Sequence, residues 1–176
     1  MMKLLSVFAA LLAASLLPAA DGASRTTHEA CEVHSRAHAG LLDSCFTVRR
    51  ELKIKLNDKL RVHERALMDY SAGQVELLEQ EKLAQDKRLV MDGDGKDMIL
   101  SLPFSCDLLT IADEQLVLRA SDEPEQAVFQ RVGDGTSLQP IRWLFETTEK
   151  FLFKKFRLRA EASYSQFAAR ECEREH

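Results

Sequence analysis

Past Leu17 the chain contains no apolar run long enough to span a bilayer, which takes about 20 residues. Its one asparagine, Asn57, is followed by Asp58 and Lys59, so there is no N-glycosylation site. Internal repeats, low-complexity tracts and Gly/Ser/Pro-rich linkers are missing, which excludes a solenoid or a string of domains. A nucleophile elbow, a phosphate loop, a dinucleotide fingerprint and a Cys-x-x-Cys pair are also missing. The common locally encoded catalytic classes drop out with them, and only a site assembled by folding is left for an enzyme. The expected answer is that the chain is not an enzyme and needs no cofactor.

The N-terminus is what the sequence states most directly. Lys3 precedes the apolar stretch from Leu4 to Leu17, Pro18 breaks it, and Ala19, Ala20, Gly22 and Ala23 offer small residues for cleavage. Residues 1–22 read as a cleaved signal peptide, and 23–176 as a single secreted, extracellular domain. Export sets the redox chemistry. Cys31, Cys45, Cys106 and Cys172 are therefore expected to form two disulfides. Packing a first helix antiparallel to a last one favours Cys31–Cys172 with Cys45–Cys106. The alternative, Cys31–Cys45 with Cys106–Cys172, needs a turn near Gly40.

Hydrophobic spacing suggests helices at both ends and strands between. Leu42, Cys45, Leu52, Leu56, Leu60, His63, Leu67 and Tyr70 fall within one stripe at helical spacing, with interruptions at Gly40 and Ser71-Ala72-Gly73. This predicts a short helix, a long one and a third near 74–88. The alternation of Leu52, Ile54 and Leu56, then Leu60 and Val62, supports a competing hairpin with a loop at 57–59, though one lacking the usual glycine. Strands are expected at 88–91 and 98–102 around Asp92-Gly93-Asp94-Gly95-Lys96-Asp97, and at 108–111, 115–119 and 127–132. Pro140 suits a helix start, and Ile141, Leu144, Phe145, Thr148, Phe151, Leu152 and Phe156 share a helical face after it. The fold class read this way is α+β: a helical N-terminal segment, a small antiparallel meander and a long amphipathic C-terminal helix.

Three clusters invite chemistry. His34 and His38 lie one helical turn apart with Cys31 a turn earlier, a spacing that suits zinc. A fourth ligand is missing and oxidation consumes Cys31, so no metal is expected and the two imidazoles read as a solvated face. Aligning Gly95 with the glycine of a calcium loop puts Val90 and Ser101 where oxygen ligands belong, so 92–97 reads as a turn. The third cluster is charge. The whole chain carries −4, yet residues 49–65 hold seven bases against three acids, and residues 92–126 hold nine acids against Lys96 and Arg119.

Residues 150–159 add Lys150, Lys154, Lys155, Arg157 and Arg159 with no acid, and within these two basic blocks Lys53, Lys55, Lys59 and Arg61, together with Lys154, Lys155, Arg157 and Arg159, are the candidate partner-binding residues. Their aromatic neighbours admit peripheral membrane contact, but on a helix Lys155 and Arg159 spoil the apolar face, so that contact is not favoured. The leading expectation is a secreted, non-catalytic interaction protein that recognises a protein or an anionic polysaccharide, with no nucleic acid partner. A carrier of a small apolar ligand and an enzyme without a local motif are the alternatives.

Overall fold

The computed structural model describes residues 21–86, 98–112, 114–120 and 124–172. The expected signal sequence lies outside them except for Asp21 and Gly22, as do the strand expected at 88–91 and the Asp/Gly turn at 92–97. Helix α1 (Asp21–Leu42) comes first. From residue 27 on, Cys31, His34, Ala37, His38 and Leu41 are its buried residues, the i, i+3, i+4 stripe by which a helix covers a sheet. At its end the Ser44 hydroxyl donates to the Leu41 carbonyl at 2.7 Å, satisfying one of the acceptors a helix terminus leaves open.

The rest of the fold is built on an antiparallel sheet of eight strands: β1 (Cys45–Leu56), β2 (Lys59–Ser71), β3 (Gln74–Ala84), β4 (Leu109–Ala112), β5 (Gln115–Arg119), β6 (Glu125–Val132), β7 (Ser137–Phe151) and β8 (Lys154–Arg170). Their order is β3-β2-β1-β8-β7-β6-β5-β4, so the last strand closes the sheet between the first strand and the seventh. A short helical turn, α2 (Met98–Ser101), and a 3₁₀ turn, Cys106–Leu108, lie between β3 and β4.

The expected α+β class with helices at both ends is therefore corrected to a sheet with one N-terminal helix. Residues 45–84 form three strands where a long helix and a third helix were expected. The competing hairpin pairs Ile54 with Val62 as the structure does, but its loop is the two residues Asn57-Asp58, since Leu56 pairs with Lys59. In place of the C-terminal helix stands the β7–β8 hairpin. The alternation decides the issue: Trp143 and Phe145 face Ala162 and Ala160 on the covered side, while Arg142 and Glu146 face Ser163 and Arg159 on the other. Pro140 opens no helix; it lies in β7 opposite Phe129, beside the irregularity where a strand tolerates proline. The strands expected at 108–111, 115–119 and 127–132 correspond to β4, β5 and β6, whereas 98–101 is helical.

One face of the sheet holds the core. Phe46 and Tyr70 are cross-strand neighbours, both buried, with stacked rings 4.5 Å apart, and Phe167 stacks on Phe46 from β8 at 4.5 Å. Helix α1 packs against this face over β7, and α2 adds the fully buried Ile99. Arg50 and Glu64 sit on the same face as an ion pair at 2.8 Å, with Gln80 donating to the second carboxylate oxygen at 2.8 Å. A charge so nearly removed from water is tolerable only with its partner in place.

Candidate functional site

The four cysteines form two disulfides, but neither anticipated pairing occurs. Cys31 joins Cys106, pinning α1 to the 3₁₀ turn, and Cys45 joins Cys172, pinning the start of β1 to the chain's last described residue. Without a C-terminal helix, Cys172 has no reason to meet α1. Because β8 runs antiparallel beside β1, its far end arrives at Cys45.

Between the C-terminal half of α1 and the sheet lies a half-open groove of about 650 Å³. Val33, Ala37 and Leu41 line it from the helix, Val132 and Leu138 from the β6–β7 hairpin, and Phe167 and Ala169 from the end of β8. Polar atoms come from Arg36, Ser44, Thr136, Ser137 and Gln139. Gly40 forms part of the helical wall, and a Cβ built there would meet nothing within 4 Å. Glycine inside a helix costs about 1 kcal/mol relative to alanine. Here it leaves the groove wider than any other residue would.

His34 and His38 do not form the expected solvated face; they are 3% and 4% exposed. The His38 ring sits 5.2 Å from that of Phe104 and edge-on to Phe129 at 5.5 Å. Burial lowers both imidazole pKa values, and the Arg131 charge lowers that of His34 further. His34 Nδ1 and His38 Nε2 are buried without a hydrogen-bond partner among the described residues. Among those residues no three His, Cys, Asp or Glu side chains converge as metal ligands. The nearby Cys31 is committed to its disulfide.

The two basic blocks, about a hundred residues apart in the chain, meet at one end of the sheet. Lys55 is opposite Arg159 and Leu56 opposite Leu158, while Asn57 at the β1–β2 turn accepts from the Arg157 backbone N–H at 2.9 Å. Four of the eight candidate bases are engaged: Lys53 with Glu51 at 3.2 Å, Arg61 with Asp86 at 3.7 Å, Arg157 with Glu146 at 2.6 Å and Arg159 with Glu161 at 3.2 Å. Lys55, Lys59, Lys154 and Lys155 are exposed and have no ion pair among the described residues. A second, polar cleft of about 480 Å³ opens there between Asn57, Asp58, Glu146, Thr148, Lys155 and Arg157.

Sequence reasoning finds these bases but not the groove. The groove's walls come from three separate segments, 33–44, 132–139 and 167–169, and nothing in any one of them marks it. That reasoning notes the basic, aromatic stretch 150–159 as one that admits membrane contact but sets it on a helix, whereas Leu152 and Phe153 occupy the β7–β8 turn, 73% and fully exposed. The available signal is their position between Lys150 and Lys154-Lys155.

Among the described residues the fold is an antiparallel sheet with a helix over one face and a groove beneath that helix. No family model matches the chain, and no curated protein matches it. Among solved structures a LolA superfamily protein from Nitrosomonas europaea is similar at 10% identity, over 79% of this chain and 94% of its own, with a TM-score of 0.24. At that level of superposition neither fold nor function passes from one protein to the other. No helix among the described residues is long and apolar enough to cross a membrane. Two disulfides are the chemistry of an oxidising compartment.

Proposed function

We propose that this chain is an exported, non-catalytic carrier that holds a small apolar ligand in the groove beneath α1. The observation that carries the reading is the groove itself: about 650 Å³, lined mainly by aliphatic and aromatic side chains, with its few polar groups around Arg36, Ser44 and Gln139. Binding pockets for small molecules combine this size range with this balance of lining. A ligand with an apolar body and a polar or acidic end fits the arrangement, with Arg36 the cation available to that end. With no C-terminal helix to cover the sheet, α1 supplies the roof over such a ligand.

Gly40→Trp tests the reading without disturbing the core, because the added side chain starts in open space. Phenylnaphthylamine, an apolar dye that fluoresces when sequestered from water, serves as the probe. We expect the disulfide-bonded protein to bind it and Gly40→Trp to bind at least about tenfold more weakly, a loss of about 1.4 kcal/mol, with an unchanged circular dichroism spectrum. Equal binding by the variant would place the dye elsewhere and remove the support for a carrier.

A further inference from the structure

We propose that the β7–β8 hairpin tip is a membrane-docking finger, which inserts Leu152 and Phe153 into an anionic phospholipid surface while the lysines around it take the headgroups. Three hairpins of this sheet close with two residues at positive φ: Asn57-Asp58 (48° and 63°), Ala72-Gly73 (46° and 80°) and Leu152-Phe153 (43° and 65°). Turns of this type strongly prefer asparagine, aspartate and glycine, because a bulky side chain in the left-handed region is strained. The first two turns contain such residues. The third places two large apolar side chains in that conformation and surrounds them with water.

Nothing among the described residues offsets this arrangement, since Leu152 is 73% exposed and Phe153 fully so. Strain together with full apolar exposure at one point implies an external apolar phase as its destination. Charge identifies which phase. Lys154 and Lys155 come directly after the tip, and the neighbouring β1–β2 turn contributes Lys55 and Lys59, all four exposed and without an ion pair among the described residues. An apolar tip followed directly by two lysines, with two more at the adjacent turn, matches an anionic bilayer, apolar inside and negative at its surface. A sulfated polysaccharide would engage the lysines but offers Leu152 and Phe153 nothing to enter.

This tip is about 45 Å along β8 from Phe167 in the groove, at about 3.3 Å per residue, so the two sites can be tested separately. The experiment is co-sedimentation with vesicles of equimolar phosphatidylglycerol and phosphatidylcholine, and with vesicles of phosphatidylcholine alone. The decisive variant is Leu152→Asn/Phe153→Gly, which gives the turn its preferred residues and so keeps or raises the melting temperature. We expect binding to the mixed vesicles, little binding to phosphatidylcholine, and a loss of about tenfold or more in the variant, the least that removing two inserted side chains should cost. Lys154→Gln/Lys155→Gln should bind the mixed vesicles no better than phosphatidylcholine. Tryptophan in Phe153→Trp should be quenched by brominated acyl chains.

Failure of the wild-type protein to bind mixed vesicles at low salt overturns the proposal. So does wild-type binding by Leu152→Asn/Phe153→Gly, or an unquenched Phe153→Trp. Retention on heparin or on an acidic protein with no vesicle binding would assign the lysines to that partner and overturn the bilayer as occupant.

Discussion

Two histidines turned inward make acid a burden on this fold. His34 and His38 are buried, and their lowered pKa values keep them neutral in the native protein, whereas the unfolded chain takes up protons near the ordinary imidazole value of about 6.5. Below that value the unfolded state binds more protons, so stability rises with pH through this window and falls as the solution is acidified. Each histidine contributes a slope of at most about 1.4 kcal/mol per pH unit, fully expressed only between its unfolded and native pKa values. The melting temperature should therefore drop on acidification from neutrality, and His34→Leu/His38→Phe should remove most of that drop. An unchanged slope in the double variant would show that other groups carry it. In the sequence these residues are legible as a pair on one helical face but not as an interior pair. Spacing identifies which residues share a face, while the sheet that covers the face is built by β6 and β7, about a hundred residues later.

Hairpins, the unit from which most of the sheet is built, are half legible for a definite physical reason. In 45–70 and 141–167 apolar residues recur often enough to satisfy both a helical stripe and an alternation, and long charged side chains suit an exposed strand position as well as a helix surface. Turn chemistry can break the tie. Asn57-Asp58 and Ala72-Gly73 contain residues that tolerate positive φ, and the hairpin reading at 52–62 pairs Ile54 with Val62 as the structure does. The β7–β8 turn gives no such warning, because Leu152-Phe153 opposes the preference of its own turn type. That opposition yields a prediction at the scale of the hairpin. Leu152→Asn/Phe153→Gly should stabilise the folded protein by about 1–2 kcal/mol in chemical denaturation, the strain of a bulky residue in the left-handed region. A loss of stability instead would mean that the tip is supported by contacts within the fold.

Taken whole, the molecule is a sheet whose last strand is threaded back beside its first, with a helix held over one face by a covalent tie. Four cysteines allow three connectivities, and the observed one depends on that threading: β8 must lie between β1 and β7 before Cys172 can approach Cys45. Non-reducing peptide mapping should recover Cys31–Cys106 and Cys45–Cys172. By loop-closure entropy the two bridges, spanning 75 and 127 residues, constrain the unfolded chain almost equally, by about 4.5 and about 5 kcal/mol. Their roles in the native state differ. Cys31–Cys106 fastens the roof of the groove, and Cys45–Cys172 fastens strands that a ladder from Cys45 to Leu56, irregular only between Thr47 and Arg49, already joins. Cys31→Ser/Cys106→Ser should therefore weaken phenylnaphthylamine binding more than it weakens vesicle binding, measured where the sheet is still folded. The helix it loosens lines the groove, while the β7–β8 tip lies at the other end of the long strands. Equal loss of both activities would show that the sheet does not hold its far end without the helix.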